Sequence, residues 1–132
     1  MNPNVRNLFL CATAIVVASC GTATFTKTGS DAEIESLRSF HLAFIDAFAV
    51  PKKHFNSAAF DAKVNEGNAK FQQAIASEKF TARRPVLIDL KSQFDADAAH
   101  LRSKASRGKI TPALATEMKK DINKIYDHAL GR

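Results

Sequence analysis

The sequence predicts an all-α domain, a small antiparallel four-helix bundle, on three observations. Apolar residues recur at spacings of three and four through four separate stretches. No stretch shows the alternation and β-branched enrichment of a strand, and no Asn-Gly or Asp-Gly hairpin turn occurs. Proline and glycine fall between the periodic stretches, where helices should stop and start. Three long helices with a shorter first one is the near alternative.

The first helix is expected to start at Ser30. Ser30-Asp31-Ala32-Glu33 fits a capping box, serine at N-cap and glutamate at N3. Ile34, Leu37, His41, Phe44, Ile45 and Phe48 then form one stripe, which Phe40 and Leu42 broaden. Pro51 ends the helix, and Val50 before it is biased away from helical geometry. The second helix spans Ser57 to Glu78, with Phe60, Val64, Gly67, Phe71 and Ile75 as its stripe. A mid-helix glycine costs about 1 kcal/mol relative to alanine. Gly67 either bends the helix or lies on the packed face and admits a neighbour; its place on the apolar period favours the second. Pro85 opens the third helix, whose stripe is Leu87, Leu90, Phe94, Ala98, Leu101 and Ala105, and Gly108 supplies a stop. Thr111-Pro112 reads as N-cap and N1 of the fourth helix, carrying Leu114, Met118, Ile122, Ile125 and Ala129, with Gly131 as its C-terminal cap.

The segment before these helices has a different character. Arg6 and the α-amino group precede an apolar run, Leu8 to Ala18, of 11 residues. A bilayer-spanning helix needs about twenty. A run this short behind a positive stretch reads as an export signal. It ends in Val17-Ala18-Ser19-Cys20, which resembles the lipobox of bacterial lipoproteins: a branched apolar residue, two small residues, then cysteine. The resemblance covers these four residues and the run before them. It implies that the Cys20 thiol carries a diacylglyceryl group, that the signal is cut just before it, and that acyl chains such as palmitate anchor the protein. Gly21, not aspartate, follows Cys20, and by the same resemblance this favours the outer membrane, facing the periplasm. The organisation expected is therefore a signal peptide over 1–19, a flexible tether over 20–29, and a bundle over 30–132.

Only two cysteines occur, Cys11 and Cys20. With the first removed and the second acylated, the domain has neither disulfide nor free thiol. That excludes thiol redox chemistry, cysteine-protease chemistry and Cys-ligated metal. Gly-x-Ser-x-Gly, phosphate-loop and Rossmann patterns are also absent. Asp95 and Asp97 lie two apart on a helix, as do Glu33 and Glu35, and read as solubilising charges on different faces. Helical di-metal sites need Glu-x-x-His pairs from two helices. The chain has one approximate match, Asp97 to His100, and no second. His54 with His100 is a weak zinc pair, and His41 reads as a packed histidine with one hydrogen bond. No cofactor, no metal site and no enzymatic activity are expected.

The net charge of +6 is a mild bias towards anionic neighbours. Up-down topology puts Lys52, Lys53, Arg102, Lys104, Arg107 and Lys109 at the end far from the tether, and Lys79, Arg83 and Arg84 at the near end. The far cluster reads as a contact surface for an envelope protein, cell-wall polymer or lipopolysaccharide, set against ordinary solvated loops in which cations suit helix C-termini. Nucleic acid is not an expected partner. The leading expectation is a membrane-anchored, non-enzymatic adaptor of the cell envelope with an apolar core that holds no polar cluster. A small-ligand or metal carrier would need a phenylalanine-lined cavity or converging His54 and His100. A chaperone-like stress lipoprotein would need an exposed apolar patch above several hundred Å².

Overall fold

The computed structural model describes residues 29–132. Cys20, Val17-Ala18-Ser19, the signal segment and residues 20–28 of the tether lie outside the described residues. Four helices follow one another: α1 (Gly29–Phe48), α2 (Ser57–Ser77), α3 (Arg84–Ser106) and α4 (Leu114–Ala129). At 20 residues α1 is as long as its neighbours, so the bundle has no short first helix. The packing described here belongs to the compact unit Glu33–Arg132.

Local chemistry explains most boundaries. The Asn56 side chain accepts a hydrogen bond from the Ala59 amide at 2.9 Å and so caps α2 one residue before Ser57. Pro85 sits in the first turn of α3. Gly108 has φ +62°, which lets the Lys109 amide donate to the Lys104 carbonyl and the Gly108 amide to Ala105. That is a Schellman cap, and Gly131 repeats it at the end of α4. Two expectations are corrected. α1 begins at Gly29, so Ser30 lies inside the helix and not at its N-cap. Thr111-Pro112 opens a turn closed by the Leu114 amide on the Thr111 carbonyl at 3.1 Å, and α4 starts only at Leu114, after an N-cap Ala113 that has no side-chain cap. Proline at the second position of a turn has its φ already set, which favours the turn over immediate helix entry.

Cross-helix contacts define the order. On α1, Phe44 and Phe48 meet Phe60 of α2, with ring centroids 5.3 and 5.1 Å apart, while Glu33 meets Ser77 at the other end. Arg38 and Asp46 of α1 reach Asp127 and Lys119 of α4 at 2.9 and 2.7 Å. Phe71 of α2 lies on Phe94 of α3 at 5.4 Å, and Asp61 pairs with Arg102. Each of these neighbouring pairs runs antiparallel. α3 also packs on α4. α1 and α3 face each other across the centre through Phe44 and Phe94, 5.2 Å apart.

The expected stripes are the core. Ile34, Leu37, His41, Phe44, Ile45 and Phe48 are all buried, as are Leu87, Leu90, Phe94, Ala98 and Leu101. Gly67 is buried where two phenylalanine rings come up against the α2 backbone. A methyl group there would lie 2.4 Å from the tip of Phe94 and 2.8 Å from Phe40. Glycine is therefore required for packing, and α2 runs through it as one helix. Gly67→Ala gains about 1 kcal/mol of helix propensity but overpacks a core that punishes extra volume by about 1–3 kcal/mol. The expected result is a lower urea midpoint than wild type; a higher midpoint would show that Phe94 can yield.

Candidate functional site

Two places concentrate polar chemistry, one inside the bundle and one at its end. The inner one begins with His41, which is 0% exposed. Its Nε2 lies 3.1 Å from Asp97 Oδ2, within ion-pair distance but out of line for a hydrogen bond, and neither atom has another partner. Its Nδ1 lies 3.5 Å from the Tyr126 hydroxyl. Phe94 and Tyr126 meet the imidazole edge-on, at 5.2 and 6.0 Å. Gln93 donates to the second Asp97 oxygen at 3.0 Å. Beside this cluster Arg38 binds Asn123 Oδ1 through Nε and Nη2, at 2.9 and 2.8 Å.

The inner cluster corrects two expectations. Asp97 is not a solubilising charge: it turns inward to His41, while Asp95 faces solvent and pairs with Lys91 at 2.7 Å. The core also holds a polar cluster where an apolar one was expected. A carboxylate, an imidazole and a hydroxyl in line resemble the parts of a nucleophilic relay. Here His41 and Tyr126 are both 0% exposed, so substrate does not reach them in this state. Their physical effect is to join α1, α3 and α4 by directional contacts. Burial, and then the nearby Asp97 charge, push the Tyr126 pKa above its ordinary 10.0, with Arg38 opposing.

The outer site lies where the α1–α2 and α3–α4 loops meet. Val50, Pro51, Lys52, Lys53, Phe55, Ala105, Gly108 and Ile110 line a cleft of about 370 Å³ that opens to solvent. Phe55 is fixed to the core, with ring centroids 6.3 Å from Phe48 and 5.1 Å from Phe60. Ile110 is likewise packed against core residues. Val50 is 41% exposed. The lining residues Ala105, Gly108 and Ile110 alternate along the chain with Lys104, Arg107 and Lys109.

Five of the six expected contact cations belong to this end. Among the described residues none of Lys53, Lys104, Arg107 and Lys109 is ion-paired. Lys52 donates to the Ala47 carbonyl at 3.2 Å and so covers the end of α1. The sixth, Arg102, is committed elsewhere: it pairs with Asp61 and lies over the Phe60 ring at 4.9 Å. The nearest α1 and α2 carboxylates, Asp46 and Asp61, are held by Lys119 and Arg102. This end therefore carries an excess of cations, with Glu117 in the first turn of α4 as the acid nearest the α3–α4 loop in sequence.

His54 and His100 are exposed, and among the described residues no three His, Cys, Asp or Glu side chains group as a metal site. Among the described residues the large exposed apolar side chains are Val50 at this end and Phe80 and Ile88 at the other, so Val50 shares no surface with the other two. Core phenylalanines touch one another: Phe94 alone has Phe40, Phe44 and Phe71 rings within 6.0 Å. No helix among the described residues is long and apolar enough to cross a membrane. The fold and site define a small antiparallel four-helix bundle with a basic cleft of mixed polar and apolar lining at one end. No protein-family model, curated protein or solved structure matches the chain.

Two outcomes test the inner cluster. Asp97→Ala strands the buried His41 nitrogen and is expected to lower stability by about 1–3 kcal/mol in denaturant titration; an unchanged midpoint would show that the 3.1 Å approach contributes nothing. Because folding raises the Tyr126 pKa, the folded state holds that proton longer than the unfolded state. Its contribution is complete below pH 10.0 and is lost as pH climbs above that value. Stability measured against Tyr126→Phe should therefore fall on the alkaline side, whereas parallel profiles would refute the assignment.

Proposed function

We propose that this chain is a non-enzymatic contact module of the bacterial cell envelope, tethered to the membrane by a lipidated Cys20, whose bundle engages an anionic partner. The tether rests on sequence: a short apolar run ending in Val17-Ala18-Ser19-Cys20, with Gly21 favouring the outer membrane. The single observation that carries the contact reading is the cleft at the loop end, where Lys52 and Lys53 share the lining with Val50, Phe55 and Ile110, and where Lys53, Arg107 and Lys109 make no ion pair among the described residues. Fields of one sign at a recess attract oppositely charged partners and speed their encounter. Cations at helix ends also have a local use, as Lys52 illustrates, but that use does not require a recess between them.

The tether is tested by Cys20→Ala, which should abolish labelling of the chain by radioactive fatty acid; labelling that persists would refute it. The contact surface is tested on immobilised polyglutamate. Reversing Lys53, Arg107 and Lys109 to glutamate should weaken retention about tenfold, a loss of about 1.4 kcal/mol. Reversing Lys79, Lys120 and Lys124 changes net charge equally and should leave retention nearly intact. Equal losses in the two variants would mean that overall charge, and not this end, does the binding.

A further inference from the structure

We propose that the cleft between the α1–α2 and α3–α4 loops receives one large apolar side chain from an acidic peptide segment of a partner protein. The inference rests on the contact reading above and adds the occupant. Its starting point is that the recess is preformed and of mixed chemistry, with Val50, Phe55 and Ile110 beside Lys52 and Lys53. Phe55 and Ile110 are seated on the core, so the walls stand without a ligand. Pro51 and the Schellman cap at Gly108 fix the two loops that carry them. A preformed pocket spares the ordering cost that weakens loose surfaces.

Size narrows the occupant. The volume of about 370 Å³ equals roughly a dozen waters at ~30 Å³ each. It is at the small end of the ~300–1,000 Å³ range for ligand pockets. As a cleft open to solvent, it suits a group that projects into it better than a wholly enclosed molecule. It does accommodate one leucine-, phenylalanine- or tyrosine-sized group projecting from a larger body. Over Gly108 the space is empty: a methyl group built there would meet nothing within 4 Å. A peptide backbone can therefore pass close to the loop.

Charge and curvature select between partners. A purely polar polyanion would satisfy the cations but leave Val50, Phe55 and Ile110 without a use. A bilayer is engaged by groups that protrude into it, and these apolar side chains form a recess. An acidic segment with an apolar anchor uses both features at once. The anchor, desolvated at the centre, supplies most of the affinity. Aspartate and glutamate flanks meet Lys53, Arg107 and Lys109 at the rim and set the association rate and salt dependence.

The test uses the full-length lipidated chain in detergent and fluorescein-labelled peptides. One peptide carries a central leucine between aspartate and glutamate runs; the other has serine in that place. The leucine peptide should bind about tenfold tighter or more, as expected for a central anchor. Val50→Ser, at an exposed position whose effect on folding is checked by circular dichroism, should weaken the leucine peptide several-fold and leave the serine peptide unchanged. Equal binding of the two peptides overturns the inference while leaving the polyglutamate result, and hence the contact reading, standing. Failure of both peptides to bind overturns it too. So does preferred binding to phosphatidylglycerol vesicles that Val50→Ser weakens, which would make the occupant a lipid.

Discussion

Phe94 must lie against the bare backbone of Gly67, and most of this bundle is arranged to let it. From α3 the ring reaches across the centre to Phe40, His41 and Phe44 of α1 and rests on Phe71 of α2. One side chain thus joins three helices. Nothing covalent supports it, since both cysteines precede the described residues. The domain depends on close packing, in which small volume errors are felt. A position without Cβ in α2 is the condition for that packing, and the propensity lost there is offset by the ring it admits.

Apolar packing tolerates sliding and alternative partners more readily than directional contacts do. His41 with Asp97 and Tyr126, and Arg38 with Asn123 and Asp127, give the bundle a polar register on its α1, α3 and α4 sides. The arrangement brings two loops, far apart in sequence, to one end and holds their apolar residues as the walls of a recess. The proposed contact function belongs to that end, and the interior packing holds it in place.

The four helices were legible because each carries an unbroken apolar period, and even the role of Gly67 followed from its phase. Gly108 and Gly131 were legible because positive φ selects glycine. What escaped was of two kinds. Tyr126 is wholly buried where the period pointed to its neighbour Ile125, and Ala74 is buried beside the half-buried Ile75; a one-residue shift in helix facing is below the resolution of periodicity. Asp97 stands between Ala96 and Ala98 of α3 with nothing local to mark it, and it meets His41 of another helix. Of the six cations expected at the far end, Arg102 has its own partner in Asp61 of another helix, which its place in the sequence does not reveal. The cleft left no local trace, because its walls come from Val50–Phe55 and Ala105–Ile110 and meet only in the folded chain.

The central claim, that the bundle places these two loops against each other, is tested most directly by nuclear Overhauser contacts in solution. The account predicts cross-peaks linking Val50 and Phe55 to Ala105 and Ile110, alongside those between Phe94 and Phe71. Cross-peaks confined to the core, with none joining the two loops, would contradict it.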